Sequence, residues 1–228
     1  MTTEVAQQQD TKRQIIDVAQ RLFAENGFES VSLRHITAEA GVNVAAVNYH
    51  FGSKEKLIDA VIERRIVPIN DRRLQMLGDL EERFGDDPVP TKEIVRALLL
   101  PLLEEVRSSV LGEKLFYKLM GRCLSHRGFE IPSSVIGQFH EVVKRFTEAI
   151  LKGKPDLSPR EIVWRLHFTA GVLIQTLIHS DKVDQITEGK FPPTSAEESF
   201  ENMVAYCAAG FSADPVMEMN AKREGGEV

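Results

Sequence analysis

The 228-residue chain is poor in cysteine, tryptophan and tyrosine, with two, one and three of them. Two cysteines, Cys123 and Cys207, cannot build a disulfide framework, so a reducing cytoplasm is the expected compartment. No uncharged apolar run approaches the roughly 18 residues of a membrane span, and no membrane partner is expected. The first ten residues are polar, without the apolar h-region of a secretory signal. Alternating Val, Ile and Thr runs are missing, as are repeats and low-complexity tracts, which leaves an all-α reading. A phosphate-binding Walker loop, a Gly-x-Ser-x-Gly elbow, a His-Glu-x-x-His run and a paired-Cys metal site are all missing too. Cys123 and His126, three residues apart, are weak grounds for nucleophilic catalysis. No metal, cofactor or catalytic residue is therefore expected, and an enzyme is the weaker reading.

Positive charge is also scarce. The chain holds 28 Lys and Arg against 34 Asp and Glu, for a net charge of −6. Nucleic-acid binders usually carry the opposite balance. A small DNA-reading head can nevertheless sit within an acidic chain, so the charge has to be read by segment. Hydrophobic content of 43% with 27% charged residues is ordinary for a globular protein.

The periodicity is helical. Thr11 and Gln14 form a capping-box pair at the start of a first helix over 11–26, with Ile15, Ala19, Leu22 and Phe23 on one face. Asn26-Gly27 stops it. Ser32 caps a second helix that Gly41 ends. A third helix spans about Val44 to His50. Ser53 caps a fourth, running towards Leu77, with a kink or break at Pro68. Further helices are predicted near 91–107, 112–126, 132–152, 159–179 and 196–211, the last two opened by Ser158-Pro159-Arg160-Glu161 and Ser195-Ala196-Glu197-Glu198. Short helices with tight turns come first and long ones follow. This places a small head at 1–60, a larger helical body at 61–213 and a mobile tail at 214–228, with the fourth helix as connector.

The run from Ile36 to Phe51 is a helix, a Gly turn and a second helix. Gly41 permits positive φ at the turn. Ile36, Val42 and Val47 supply a small core that fixes the angle between the two helices, and the second helix presents a face to a major groove about 12 Å wide.

The order of motifs resembles the tetracycline-repressor (TetR/AcrR) family of bacterial regulators over roughly residues 12–62: Leu22-Phe23-Ala24-Glu25-Asn26-Gly27-Phe28, then Ser32-Leu33-Arg34-His35-Ile36, Ala40-Gly41-Val42-Asn43, and Tyr49-His50-Phe51-Gly52-Ser53-Lys54-Glu55-Lys56-Leu57. Thr37 departs from the usual Ala after that Ile. The resemblance implies a three-helix helix-turn-helix DNA-binding head on a larger helical body that binds an effector and dimerises, and a repressor as the usual mode. In that frame Asn48 is the candidate for a base-edge hydrogen bond, and Val44, Ala45 and Ala46 contact thymine methyls and allow close approach. Tyr49 and His50 match positions that hold phosphates. Lys54 joins its charge to free backbone N–H groups at a helix start. Ser32 and Arg34 meet phosphate, with Arg34 within reach of a groove. For His35 a surface or structural role is expected.

Split by segment, residues 1–65 carry eight basic and nine acidic side chains, net −1, and the remainder carries −5. Phosphate affinity must then come from placement of Lys12, Arg13, Arg34 and Lys54 rather than from a basic patch. Fewer phosphate contacts mean a modest salt dependence and specific binding that needs a dimer.

The 159–179 segment is apolar nearly all round and must be buried on more than one side. Together with 196–211, whose Ala205, Ala208 and Ala209 form a flat strip, it is the expected homodimer interface; the resemblance implies the same. A two-fold dimer reads a palindromic operator in double-stranded DNA. The candidate effector site comprises Phe116, Met120, Arg122, Cys123, Phe139, Val143, Phe146, Trp164, His167, Phe168 and Gln175. Ordinary core packing is the competing reading for each of them. Arg122 can anchor a ligand anion or pair with a Glu. The runs Asn43–Lys54 and Pro68-Ile69-Asn70-Asp71-Arg72-Arg73-Leu74 resemble a branch of fatty-acid- and acyl-CoA-responsive repressors, which names a candidate effector class. A competing reading keeps the head but fills the body with side chains, making a DNA-bound adaptor answering to protein partners.

Overall fold

The computed structural model describes residues 2–109, 111–125, 132–191 and 195–215, without the side chains of 2–6, 121–125, 134, 177–181 and 196. The described residues form α1 (Thr2–Asn26), α2 (Leu33–Glu39), α3 (Val44–Phe51), α4 (Lys54–Phe84), α5 (Thr91–Ser108), α6 (Glu113–Ser125), α7 (Ser133–Gly153), α8 (Pro159–Ile186) and α9 (Ala196–Ser212), with no strand among them.

Two apolar cores divide the molecule. The first joins Ile15, Ala19, Leu22 and Phe23 of α1 to Phe28, Val31, Ile36 of α2, Val47 and Phe51 of α3, and Leu57, Val61 and Ile62 of α4. The periodicity of α1 sets this face, and Phe23 packs on Phe28 with ring centroids 5.2 Å apart. The second core is built from α4 to α9 around Leu77, Ile94, Leu99, Phe116, Phe146, Ile150, Ile162 and Phe211.

The cores are not joined by α4 alone. Leu119 of α6 lies in the head's core, with Leu111 and Leu115 packed against it. Leu115 and Leu119 are four residues apart on α6, the spacing that puts side chains on one helix face, and Leu111 joins them from the turn before it. A polar staple reinforces the junction. Buried Arg65 of α4 donates to Oε1 of Gln20 in α1 through Nε and Nη2, at 3.1 and 2.8 Å, and to Glu105 of α5 through Nη1 at 2.8 Å.

Three boundaries differ from the sequence reading. Helix α1 begins at Thr2, so Thr11 is interior rather than a cap. Its hydroxyl donates to the Gln7 carbonyl at 2.9 Å, the back-bond that a Thr makes inside a helix. Gln14 instead donates to the Ala40 carbonyl at 2.8 Å, tying α1 to the turn. Helix α4 runs unbroken through Pro68 to Phe84. Pro68 is exposed while Ile69 and Asn70 are buried, so the missing N–H falls on the solvent side. Helix α8 continues to Ile186, beyond the predicted end near 179.

Candidate functional site

The turn between α2 and α3 is set by local chemistry. The Ser32 hydroxyl accepts from the His35 N–H and the Asn43 carboxamide accepts from the Ala46 N–H, capping the two helices. Gly41 has φ +63°, and no atom lies within 4 Å of where a Cβ would stand. Its need for glycine is therefore conformational and not one of space. Ile36 and Val47 are fully buried beneath it. Thr37 is buried too, and its hydroxyl donates to the Arg34 carbonyl at 3.1 Å, so the departure from Ala leaves no orphaned donor.

This leaves Val44, Ala45, Asn48 and Tyr49 exposed on α3, with Ala46 and His50 half-buried at its edge. Tyr49 is 71% exposed and meets His50 edge-on at 5.1 Å. Ser32 and Arg34 are exposed at the start of α2, and half-buried Lys54 opens α4, whose Ser53 hydroxyl accepts from the Lys56 N–H. Among the described residues the cations divide into two sets. Arg21 pairs with Glu39 at 2.8 Å, Arg64 with Asp17 at 2.7 Å and Arg65 with Glu105. Lys12, Arg13, Arg34, Lys54 and Lys56 have no such carboxylate partner, and Lys12 sits over the Phe51 ring at 5.9 Å. The paired set holds the head together. The unpaired set is available to a polyanion.

A partly open cavity of about 160 Å³ lies at the junction of the two cores. Its wall comes from Val61, Ile62, Arg65, Ile66, Ile69 and Arg73 of α4, Leu102 of α5, Leu119 and Met120 of α6, Val135 and Phe139 of α7, and Ala170, Leu173 and Ile174 of α8. Of the side chains named from sequence, Met120 and Phe139 line it. Phe116 and Phe146 are fully buried in the body core, outside the lining of this cavity. Val143 is half-buried outside the lining. The side chains of Arg122 and Cys123 lie outside the described set.

Trp164, His167, Phe168 and Gln175 are exposed and lie outside the cavity lining. Phe168 is 60% and Trp164 53% exposed, and their rings lie 5.9 Å apart. The buried stripe of α8 is instead Ile162, Leu166, Thr169 and Leu173. Phe168 borders an open surface groove with Tyr206, Ala209 and Gly210 of α9, where Tyr206 is 71% exposed. Arg165 spans the base of that face, donating to the carbonyls of Gly210, Ala213 and Asp214 at 2.9 to 3.1 Å. These carbonyls lie at the end of α9, where helices leave acceptors unpaired.

The sequence reading missed the α4 wall. Val61, Ile62, Arg65, Ile66, Ile69 and Arg73 follow helical spacing along one face, and that was the available signal. The same spacing also suits a helix that merely connects head and body, so it does not by itself mark a cavity wall.

The chain matches two family profiles: "Bacterial regulatory proteins, tetR family" over residues 15–61 and "Tetracyclin repressor-like, C-terminal domain" over 96–210. The HTH-type transcriptional regulator AcrR of Shigella flexneri is 33% identical over 114 residues, 48% of this chain and 50% of that protein. The dual regulator CecR of the same organism is 34% identical over 92 residues, 40% of each chain. The chain thus spans half or less of the length of these curated relatives. In fold it is similar to HlyIIR, a hemolysin II transcriptional regulator, at a TM-score of 0.57 and 16% identity, covering 91% of this chain and 99% of that one. It is also similar to SCO4454, a TetR-family regulator of Streptomyces coelicolor, at a TM-score of 0.56 and 17% identity, covering 90% and 97%. With its head matched by one profile and its body by the other, the chain belongs to the TetR/AcrR family of bacterial transcriptional regulators, which are helix-turn-helix DNA-binding proteins and not enzymes.

Proposed function

We propose that the chain is a cytoplasmic, ligand-responsive repressor that binds a palindromic operator as a homodimer and leaves it when a small, mainly apolar effector enters the cavity. The observation that carries this reading is shared membership. Val61, Ile62 and Leu119 belong to the head's core and also line the cavity. An occupant that displaces these side chains displaces the floor on which α1 and α4 rest. Close-packed interiors pass such a shift on rather than absorb it. Helix α4 carries Lys54 at one end and the cavity wall in its middle, about 46 Å of continuous helix at 1.5 Å per residue. A ligand changes DNA affinity only by its differential affinity for the two head spacings.

For the dimer, the support is the exposed apolar face of Val163, Trp164 and Phe168 on α8 with Tyr206 on α9. A soluble chain rarely leaves so contiguous a patch bare. For DNA, the support is Lys12, Arg13, Arg34 and Lys54, which lack carboxylate partners among the described residues, beside an exposed α3. The effector class proposed from the resemblance is a fatty acid or acyl-CoA. The cavity favours an effector over an adaptor whose body is filled by side chains.

The test is reciprocal. Compounds that raise the melting temperature of the full chain are assayed for operator affinity. The effector reading requires that a stabilising compound weaken operator binding, and that operator DNA weaken the compound by the same factor. Stabilisation with unchanged operator affinity contradicts it.

A further inference from the structure

Two arginines line the cavity, and the protein treats them differently. Arg65 is neutralised by Glu105 and bonded twice to Gln20. Arg73 meets only neutral acceptors: its Nε donates to the Leu98 carbonyl at 2.8 Å and its Nη1 to Oδ1 of Asn70 at 2.9 Å. No carboxylate pairs with Arg73 among the described residues, and its Nη2 makes no hydrogen bond there. Arg73 is half-buried, and desolvation lowers its guanidinium to about 10, so it is still a cation at neutral pH. Asn70, fully buried beside it, has an Nδ2 with no acceptor. Arg73 thus brings to the cavity a cation that no described carboxylate pairs, with the Asn70 amide behind it, against a wall that is otherwise apolar apart from the neutralised Arg65. A charge withdrawn from water is costly until it is paired and hydrogen-bonded.

We propose that the effector of this cavity is a single-chain carboxylic acid whose apolar tail lies between α4, α6, α7 and α8 and whose carboxylate pairs with Arg73. This rests on the effector reading above and narrows it. A monoanion matches the single cation left without a counter-charge, whereas a phosphate monoester brings close to two negative charges. The guanidinium edge also suits a planar carboxylate. The volume of about 160 Å³ is below the 300 Å³ or so at which drug-sized ligands begin, which favours a slender chain over a multi-ring body.

The experiment is calorimetric titration of the full chain with hexanoate, octanoate, decanoate and dodecanoate, each against the alcohol and the amine of the same length. The same titrations follow for Arg73→Met and Arg73→Lys. The expected result is that at least one carboxylate binds the unaltered protein ~10-fold or more tighter than its alcohol, the size expected of a hydrogen bond to a charged group. The amine should bind weakest. Arg73→Met should erase the difference between acid and alcohol while still binding the alcohol, and Arg73→Lys should restore part of it. If acid and alcohol bind the unaltered protein equally, the carboxylate inference is overturned and the effector reading stands. If Arg73→Met is folded by circular dichroism and keeps the preference, the assignment to Arg73 is overturned. Binding of none of these compounds overturns the inference, and an apolar stabiliser found elsewhere would still leave the effector reading in place. Should Arg73→Met fail to fold, the acid-to-alcohol ratio of the unaltered protein decides alone.

Discussion

At the scale of single residues, the head separates side chains that hold it together from side chains that are offered outward. Asn48 is exposed on α3 and Lys54 opens α4. Asn48→Ala should relax sequence preference, costing about 1–3 kcal/mol on the preferred site and little on random DNA. Lys54→Ala should weaken all sequences alike and lower the salt slope by about one. Competitive binding at two salt concentrations distinguishes them; unchanged affinity for Lys54→Ala at low salt contradicts the phosphate role. Gly41 gives a stability test. A Cβ would touch nothing, so Gly41→Ala should cost only the left-handed backbone strain, about 1–2 kcal/mol by urea denaturation. A much larger loss would mean that the turn is crowded. The head was largely legible at this scale because caps, turn glycine and apolar spacing are local features. The ligand residues were less so. An apolar side chain on a two-sided helix such as α8 can face the core or the surface, and composition does not say which. Trp164, His167 and Phe168 face out, while Leu166 and Leu173 face in.

At the scale of elements, the contacts between helices carry predictions of their own. Arg96 of α5 forks onto Glu201 of α9 while its guanidinium also lies 5.9 Å from the Phe200 ring. Hydrogen bonding to Arg96 holds the Glu201 carboxyl below its usual value. A lowered pKa in the fold contributes stability above the unfolded value of 4.5, and that contribution is lost as pH falls through the folded value. Glu201→Gln should therefore lower the melting temperature at pH 7 and leave it unchanged near pH 3. An equal loss at both would show that the pair contributes nothing through charge. The Arg65 staple is more deeply placed. Glu105→Ala leaves buried Arg65 with only Gln20 and should cost about 3–5 kcal/mol, the range for breaking a buried pair. Chemical denaturation measures it, and a loss under 1 kcal/mol would assign the junction to apolar packing alone. Most elements were legible from caps and period. The exceptions are instructive: Thr11 resembles a cap but is satisfied inside α1, and Pro68 resembles a break but sits on an exposed face of α4. In both cases the outcome depends on which side of the helix the residue occupies.

At the scale of the whole molecule, charge and symmetry decide what the head can do. Residues 1–65, at net −1 against −5 for the remainder, have few cations to spend on phosphate. Two heads held together double those contacts and restrict them to one spacing. Phe168→Glu, which puts charges onto the exposed α8 face, should yield a folded monomer in sedimentation with sharply reduced operator affinity. A variant that remains dimeric would place the interface elsewhere. The contact of α6 with the head was not legible from sequence, because it joins residues about a hundred positions apart. The central claim is that two identical heads read DNA together, and selection of bound sequences from a random pool by the full chain tests it most directly. The account predicts a two-fold symmetric consensus whose half-sites lie about one helical turn, or a whole number of turns, apart; a single unpaired half-site, or no consensus at all, would contradict it.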